Sequence, residues 1–177
     1  LRMPQDAPMP MLQALRSLVQ DSLGKHLFEN AIFFADKLIS LSQNDPDDVY
    51  RLTQAFLFTR QYRRAIALLR RTGYISSTPR FTYVTAKCRA ECQEWDECLT
   101  VLSDEALNKA QAEEEGVCGS SHGRVSLLSA MLLLKGSVYE ALENRPLAAR
   151  TYSRALRVDP LNFEALDRLL TNHKLPP

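Results

Sequence analysis

The chain has 177 residues, of which 22 are basic and 21 acidic, so its formal net charge at neutral pH is only +1. This near balance argues against a nucleic-acid partner, which would favour a strongly basic chain. The longest apolar run, residues 127–134, is interrupted by Ser129 and is too short to span a bilayer. The first ten residues lack the apolar segment of a signal peptide. We therefore expect an intracellular protein in a reducing compartment, with neither nucleic-acid nor membrane partners.

Small residues recur along the chain at nearly constant intervals. Ala31, Ala65 and Cys98 are 34 and 33 residues apart, and Ala148 follows after 50, which is one more period of 34 plus an insertion of 16. A period of about 34 residues is typical of tetratricopeptide repeats (TPRs), in which pairs of antiparallel helices stack into a solenoid. The spacing predicts an all-α TPR solenoid of about four and a half helix-turn-helix repeats.

In chain order, the pattern predicts a disordered tail over 1–11 and then a TPR superhelix over 12–175, with an insertion at about 104–124. The first half of the insertion could form a helix through 106–115, and the second half is expected to be a mobile, solvated loop. Partner binding or phosphorylation of the loop serines is the alternative. The last predicted helix is the first half of a fifth repeat. Nine helices are predicted: 12–23, 26–42, 46–59, 61–72, 79–92, 94–103, 125–142, 144–158 and 162–173.

The fourth repeat carries the repeat pattern most completely. Gly136 and Ala148 are predicted to lie where the two helices touch, because only small side chains allow close approach. Asn144 suits the N-cap of the second helix, and Pro160 ends that helix. The residues that match the repeat pattern are Leu132, Gly136, Tyr139, Ala148, Tyr152, Ala155 and Pro160.

No motif in the sequence indicates catalysis, a cofactor or a metal site. The three histidines, His26, His122 and His173, are far apart, and there is no phosphate-binding glycine loop. Cys88 and Cys92 are one helical turn apart and could ligate zinc, but the usual spacing with two intervening residues is missing. Buried, reduced cysteines are the favoured interpretation. We therefore predict that the chain is not an enzyme and binds no cofactor.

A basic stretch borders the second helix of the second repeat. A solvated outer face is the favoured interpretation, and a patch for an acidic partner is the alternative. Nucleic acid is disfavoured because no aromatic residues are interleaved with the arginines. The stretch comprises Arg60, Arg63, Arg64, Arg70, Arg71 and Arg80.

Beyond the repeat pattern, two long stretches resemble one family. The segment 27–71, including ADK, SLS, PDDVY and AFLFTRQYRRA, is similar to the N-terminal TPR region of the cell division cycle protein 16 family. The segment 132–169, with YEALENR at 139–145, is similar to a later repeat of that family. Its members are subunits of the anaphase-promoting complex (cyclosome). The resemblance covers about residues 12–175.

The resemblance implies a structural function. Members of the family are non-catalytic scaffold subunits of a ubiquitin ligase that acts in the cell cycle, in the nucleus and cytoplasm. The implied partners are a second copy, bound through the N-terminal repeats, and other TPR subunits of the complex. The catalytic subunits of the complex are other chains.

The predicted binding surface lies on the first helix of each pair, which lines the concave groove of a TPR superhelix. Phe56, Leu57 and Phe58 cannot all face the core, and the first helix has more apolar positions than one packed face needs. We therefore expect the N-terminal helices of one copy to clasp the groove of another. The alternatives are that these leucines pack only on the second helix, and that the groove takes a peptide or helix of another protein. The predicted residues are Leu12, Leu15, Leu18, Val19, Tyr50, Gln54, Leu57, Phe58, Tyr83, Lys87, Leu133 and Ser137.

Overall fold

The computed structural model describes residues 9–116 and 125–171, which contain ten α-helices and no β-strand. Residues 1–8, 117–124 and 172–177 lie outside the described part of the chain. The range 117–124 is the second half of the insertion, for which a mobile loop is predicted. The helices are α1 (Met9–Gly24), α2 (Phe28–Leu41), α3 (Pro46–Phe58), α4 (Tyr62–Thr72), α5 (Pro79–Glu91), α6 (Trp95–Val101), α7 (Asp104–Gly116), α8 (Leu127–Ala141), α9 (Arg145–Val158) and α10 (Phe163–Thr171).

Nine of these helices begin and end within three residues of the predicted bounds. The total of nine is wrong, because the first half of the insertion forms a separate helix, α7. α1 begins at Met9, so the last three residues of the predicted tail are helical. Its remaining residues, 1–8, lie outside the part of the chain that the structure describes.

The chain divides into two compact units, residues 1–75 and 76–177. The first unit contains α1–α4, and each helix packs against the next one along the chain. Its interior is apolar, and the small residues of the repeat pattern, Ala31 and Ala65, are fully buried. The second unit contains α5–α10, with α8 at its centre, in contact with α5, α6, α7 and α9.

The same turn joins the two helices of each of the four repeats. Its second-to-last residue is His26, Arg60, Gln93 or Glu143, with φ of 58°, 57°, 61° and 58°. The next residue donates its backbone N–H to the carbonyl five residues earlier, at 2.8–2.9 Å, as in Leu27 to Ser22. In this type of helix ending, one residue in the left-handed conformation turns the chain so that N–H groups beyond the helix pair with carbonyls of its last turn. The equivalent residues in four repeats therefore share one backbone conformation.

Helix starts follow from local capping residues. The Asp45 carboxylate accepts the N–H groups of Asp47 and Asp48 at 3.0 and 3.3 Å, and Pro46 occupies the first turn of α3. The Asn144 side chain accepts the N–H of Leu147 at 3.3 Å at the start of α9, as predicted. Such caps satisfy donors that a helix leaves unpaired at its first turn.

In the second unit, α8 and α9 approach closely at the predicted glycine. A Cβ added to Gly136 would lie 2.4 Å from the Tyr152 ring, closer than packed atoms can approach. Tyr152 is fully buried, and its hydroxyl donates to Glu140 at 2.7 Å. Ala148 is fully buried on the same helix as Tyr152. The predicted close contact of the two helices at Gly136 is confirmed, and Ala148 is buried as that prediction requires.

The extra helix α7 is tied to the start of α8. The Glu114 carboxylate accepts the Ser126 hydroxyl at 2.8 Å and the N–H of Leu128 at 3.0 Å. Ser126 is also the N-cap of α8. A carboxylate at a helix N-terminus is favoured by unpaired N–H groups and by the helix dipole. Glu114 thus fastens the helical half of the insertion to the fourth repeat.

Candidate partner-binding surface

Helix α1 exposes much of its apolar surface. Only Val19 and Ser22 are buried in its 16 residues. Leu12 and Leu15 are half-buried, Leu18 is 40% exposed, and Met11 is exposed as well. Because Met11, Leu15 and Leu18 are four and three residues apart, they lie along one face of the helix. α1 therefore presents an apolar stripe besides the face that packs on its own unit.

A partly buried ion-pair network links α1 to α3. The Arg16 guanidinium donates to both carboxylate oxygens of Asp48, through Nε at 2.9 Å and Nη2 at 2.8 Å. Arg51 donates to the same carboxylate at 2.8 Å, and Asp48 is fully buried. The hydrogen bond to Asp48 is the main cause of the raised pKa of Arg16. Arg51 lies on α3 with Asp48, so it is the two-point contact of Arg16 that holds α1 in a defined position relative to α3.

The C-terminal end of α3 carries three consecutive apolar residues that face different ways. Phe56 is buried, and the Arg64 guanidinium lies over its ring at 4.6 Å. Leu57 is half-buried, whereas Phe58 is 59% exposed. The Phe58 ring stacks on Phe28, at the start of α2, with 5.2 Å between centroids. One face of the Phe58 ring is therefore covered within the unit, and much of the rest is open.

The remaining predicted residues of α3, Tyr50 and Gln54, are half-buried. The first unit also has an open cleft between α1 and the Arg51 side chain of α3. Apart from Gly24 its lining residues carry a polar or charged group, which distinguishes them from the apolar residues of the α1 stripe. The lining residues are Arg16, Ser17, Gln20, Asp21, Gly24, Lys25 and Arg51. Neither Arg51 nor the cleft was predicted from the sequence, because neither belongs to the repeat pattern.

The four predicted residues of the second unit are largely occupied by contacts within that unit. Tyr83 and Leu133 pack against its apolar core. Lys87 forms an ion pair with Glu91 at 3.1 Å, and the Ser137 hydroxyl donates to the Leu134 carbonyl at 2.7 Å. These four residues belong to one unit, and the eight predicted residues on α1 and α3 belong to the other. We therefore treat the predicted surface as two separate sets.

Helix α10 has an apolar side that no described residue covers. Phe163, Leu166 and Leu170 are exposed, while Ala165 and Leu169 are buried against the second unit. The three exposed residues are three and four apart, so they form a stripe along the helix. α10 therefore has one apolar side buried against its own unit and a second apolar side that is exposed.

The buried thiols are poorly suited to nucleophilic chemistry. Burial raises the pKa of Cys88 to about 12 and that of Cys98 to about 11. The Cys98 thiol donates to the Ala86 carbonyl at 3.3 Å. Because the thiolate is the reactive form, thiols with such pKa values are inert near neutral pH.

Within residues 9–116 and 125–171, no cluster of three or more His, Cys, Asp or Glu side chains is arranged to hold a metal ion. In the same ranges, every helix is too short or too polar to traverse a bilayer.

Comparison with known proteins identifies the relatives of this chain. The family model "Anaphase-promoting complex, cyclosome, subunit 3" matches residues 24–105. Anaphase-promoting complex subunit 6 of Arabidopsis thaliana is 37% identical, over 93% of this chain and 32% of its own length. The cell division cycle protein 16 homologue of Homo sapiens is 36% identical, over 93% of this chain and 28% of its own length.

A solved structure agrees with these relatives. The crystal structure of the APC/C hetero-tetramer Cut9–Hcn1 contains a chain that superposes with a TM-score of 0.78 at 28% identity, covering 93% of this chain and 30% of that one. The chain thus spans about a third or less of the length of these three relatives. The predicted fold and the predicted resemblance are both confirmed: the chain is an all-α TPR solenoid, homologous to anaphase-promoting complex subunit 6 and to cell division cycle protein 16.

Proposed function

We propose that this chain is the N-terminal TPR region of a non-catalytic scaffold subunit of the anaphase-promoting complex, and that two copies associate through their first repeats. The relatives at 36–37% identity are named as a subunit of that complex and as cell division cycle protein 16. The structural match is to an APC/C hetero-tetramer with two named components, Cut9 and Hcn1. A tetramer of two components contains at least one of them more than once, which supports self-association.

The apolar stripe of α1 is the observation that carries the proposed homodimer. Leu18 and Phe58 are partly exposed in the first unit, and Leu12, Leu15 and Leu57 are half-buried. Burying such residues against a second copy stabilises association by about 25 cal/mol for each Å² of apolar surface removed from water. In a two-fold dimer the same stripe would serve both copies, so that each α1 packs on its partner.

The proposed scaffold role is supported by the chemistry of the described residues. The two buried thiols, Cys88 and Cys98, have raised pKa values, so they are poor nucleophiles near neutral pH. The polar cleft of the first unit contains Arg16 and Arg51, whose guanidinium groups are held by Asp48. A subunit with these properties would support protein ubiquitination by positioning other TPR subunits of the complex in the nucleus and cytoplasm.

The first test is the absolute mass of the chain in solution, measured by light scattering during size exclusion across a range of loading concentrations. The mass of one chain is 20.1 kDa. We expect about 40 kDa, the mass of two chains. A mass near 20 kDa at every concentration would overturn the homodimer and favour an adaptor that takes a peptide or helix of another protein.

A charge-reversal variant locates the interface. Leu18→Glu combined with Phe58→Glu should give a folded monomer, because both side chains are already partly exposed. We avoid Leu57, which is half-buried and whose replacement could unfold the helix. Phe33→Glu is the matched control: Phe33 is 58% exposed and contacts the Phe34 ring at 5.2 Å, much as Phe58 contacts Phe28.

The control variant should remain a dimer with unchanged circular dichroism. If the Leu18/Phe58 variant is folded and still dimeric, the assignment of the interface to α1 and the end of α3 is wrong. If Phe33→Glu also yields a monomer, the loss of the dimer in the Leu18/Phe58 variant is not specific to the surface formed by α1 and the end of α3.

Membership of the complex is tested separately in cells. An epitope-tagged chain is immunoprecipitated, and the co-purifying subunits are quantified by mass spectrometry. We expect other TPR subunits of the anaphase-promoting complex to be enriched with the tagged chain and with Phe33→Glu. Enrichment of neither would argue against a subunit role, whatever the oligomeric state of the purified chain.

A further inference from the structure

Helix α4 has two sharply different faces. Ala65, Ile66, Leu68 and Leu69 are buried in the first unit. The other face is exposed, and at 3.6 residues per turn its members fall within an arc of about 120°. It consists of Arg63, Arg64, Ala67, Arg70 and Arg71, and we call it the arginine face. The four arginines therefore surround a single small residue, Ala67.

The arginine face has no neutralising charge on its own helix. α4 contains no Asp or Glu, and within the described residues Arg63, Arg70 and Arg71 form no ion pair. Some exposed cations elsewhere are paired, for example Lys25 with Asp21 at 2.8 Å. Arg64 differs from its neighbours, because it donates to Gln61 and lies over the Phe56 ring. Three of the four guanidinium groups are thus available to a partner.

Helix stability does not account for all four arginines. Arg70 and Arg71 lie in the last turn, where the helix dipole favours cations, before the left-handed Gly73. Arg63 and Arg64 lie in the first turn, where the helix dipole disfavours cations. Arg64 gains from its ring contact, but no contact of this kind compensates Arg63 among the described residues. The charge at the start of α4 is therefore unfavourable for the isolated helix.

We propose that the arginine face of α4 docks an acidic segment of a partner protein. Arg63 and Arg70 are seven residues apart, which places the two arginine pairs about 10 Å apart along the helix. The complementary segment would present two groups of carboxylates at the same separation, as glutamates seven residues apart on a helix do. All four side chains are arginines rather than lysines, and guanidinium groups bind carboxylates in a bidentate manner.

The surroundings of the face favour a protein over nucleic acid. Ala67 leaves a shallow centre, on which another helix could lie between the two arginine pairs. Tyr62, the aromatic residue of α4, is half-buried, so the arginines lack a fully exposed ring beside them on which a base could stack. On α2 of the same unit, Glu29, Asp36 and Lys37 are all exposed and mix both signs of charge. A long nucleic-acid backbone would require a continuous basic track instead.

Helix α9 provides an internal control. It also contains arginines and no acidic residue, and Arg150, Arg154 and Arg157 are exposed on one face. These three lie in a row at intervals of four and three residues rather than in two pairs around a small residue. Removing two arginines from α9 changes the net charge of the chain by the same amount as removing two from α4.

The experiment measures the affinity for a defined acidic probe by fluorescence anisotropy. The probe is a fluorescein-labelled, alanine-based helical peptide with two glutamate pairs seven residues apart, compared with the same peptide carrying glutamine. We expect the glutamate peptide to bind more tightly than the glutamine peptide, and less tightly as salt is raised. Arg63→Gln with Arg70→Gln should weaken binding by about tenfold or more, because two charge-assisted pairs are lost.

The control variant is Arg150→Gln with Arg154→Gln, which should bind like the wild type. All the changed residues are exposed, and glutamine is as good a helix former as arginine, so both variants should fold. An equal loss with both variants, or no binding of the glutamate peptide, would overturn the proposal. If a labelled dT strand of about 12 nucleotides binds more tightly than the glutamate peptide, and the α4 variant loses this binding, the partner of the arginine face would be nucleic acid rather than an acidic protein. The test does not depend on the proposed homodimer.

Discussion

Cys98 occupies the position at which three other repeats have alanine, namely Ala31, Ala65 and Ala148. All four side chains are fully buried. The site therefore accepts a methyl group, and the extra sulfur atom of Cys98 is accommodated by its contact with the Ala86 carbonyl. We expect Cys98→Ala to fold and to cost about 1 kcal/mol or less at neutral pH, as small buried deletions do.

Cys98 also makes the stability depend on pH. Burial raises the pKa of its thiol from 9.0 to about 11 in the folded chain. As pH rises through 9, the unfolded chain loses this proton while the folded chain keeps it, so the free energy of unfolding falls. Between pH 8 and pH 10 the loss from this thiol is about 1 kcal/mol.

Urea denaturation of the wild type and of Cys98→Ala at the two pH values checks this prediction. The variant should lose about 1 kcal/mol less than the wild type over this range, because Cys88 and the other titrating groups are common to both. If both proteins lose the same amount, the thiol of Cys98 is not responsible.

At the scale of single residues, the sequence predicted contacts within one repeat better than contacts between repeats. Gly136 and Asn144 follow from a local pattern with a steric reason. The pairing of Arg16 with Asp48 was not predicted, because the two residues are 32 apart and a carboxylate is normally expected on the surface. No periodicity indicates which acidic side chain will be buried by its partners.

The turns between paired helices repeat one backbone conformation with different side chains. Glu143 has φ of 58°, a left-handed conformation that costs a side-chain-bearing residue about 1 kcal/mol relative to glycine. Glu143 is exposed and lies between α8 and α9. We expect Glu143→Gly to raise the free energy of unfolding by up to about 1 kcal/mol, once the greater flexibility of glycine in the unfolded chain is included.

Glu143→Ala is the matched control, because it removes the same charge and keeps a Cβ in the left-handed conformation. Urea denaturation should show a gain for glycine and none for alanine. A glycine variant that is no more stable than the alanine variant would contradict the argument that the turn conformation is costly.

The 34-residue period predicts that the helices exist. Pro, Gly and capping residues then indicate where each helix begins or ends. This explains why α3 and α5 begin at Pro46 and Pro79, as predicted. The helix α7 lies outside the period, and its position depends on Leu107 and Ala110 packing into the second unit and on Glu114. A repeat pattern carries no information on packing of this kind, so α7 could be predicted only as one possibility for the insertion.

At the scale of the whole molecule, the predicted binding residues fall into two sets with different surroundings. Those of the second unit, such as Lys87 and Ser137, already have partners inside that unit. Those of the first unit include Leu18 and Phe58, which keep exposed apolar surface. A repeat pattern distinguishes the first helix of each pair from the second, but it cannot tell which exposed positions are already covered. The first unit is therefore where we expect a second copy to bind.

A homodimer held by this surface would also make thermal stability depend on concentration. If two folded chains bind each other and unfolded chains do not, raising the concentration about 100-fold stabilises the folded state by up to about 1.4 kcal/mol per chain, because each dimer contains two chains. For a chain of this length that is a rise in Tm of several degrees. The Leu18→Glu, Phe58→Glu variant should show a Tm independent of concentration, whereas Phe33→Glu should keep the wild-type dependence. Calorimetry of the three proteins measures this directly. A wild-type Tm that does not move with concentration would contradict a dimer coupled to folding, because mass action must stabilise any state that only folded chains can form.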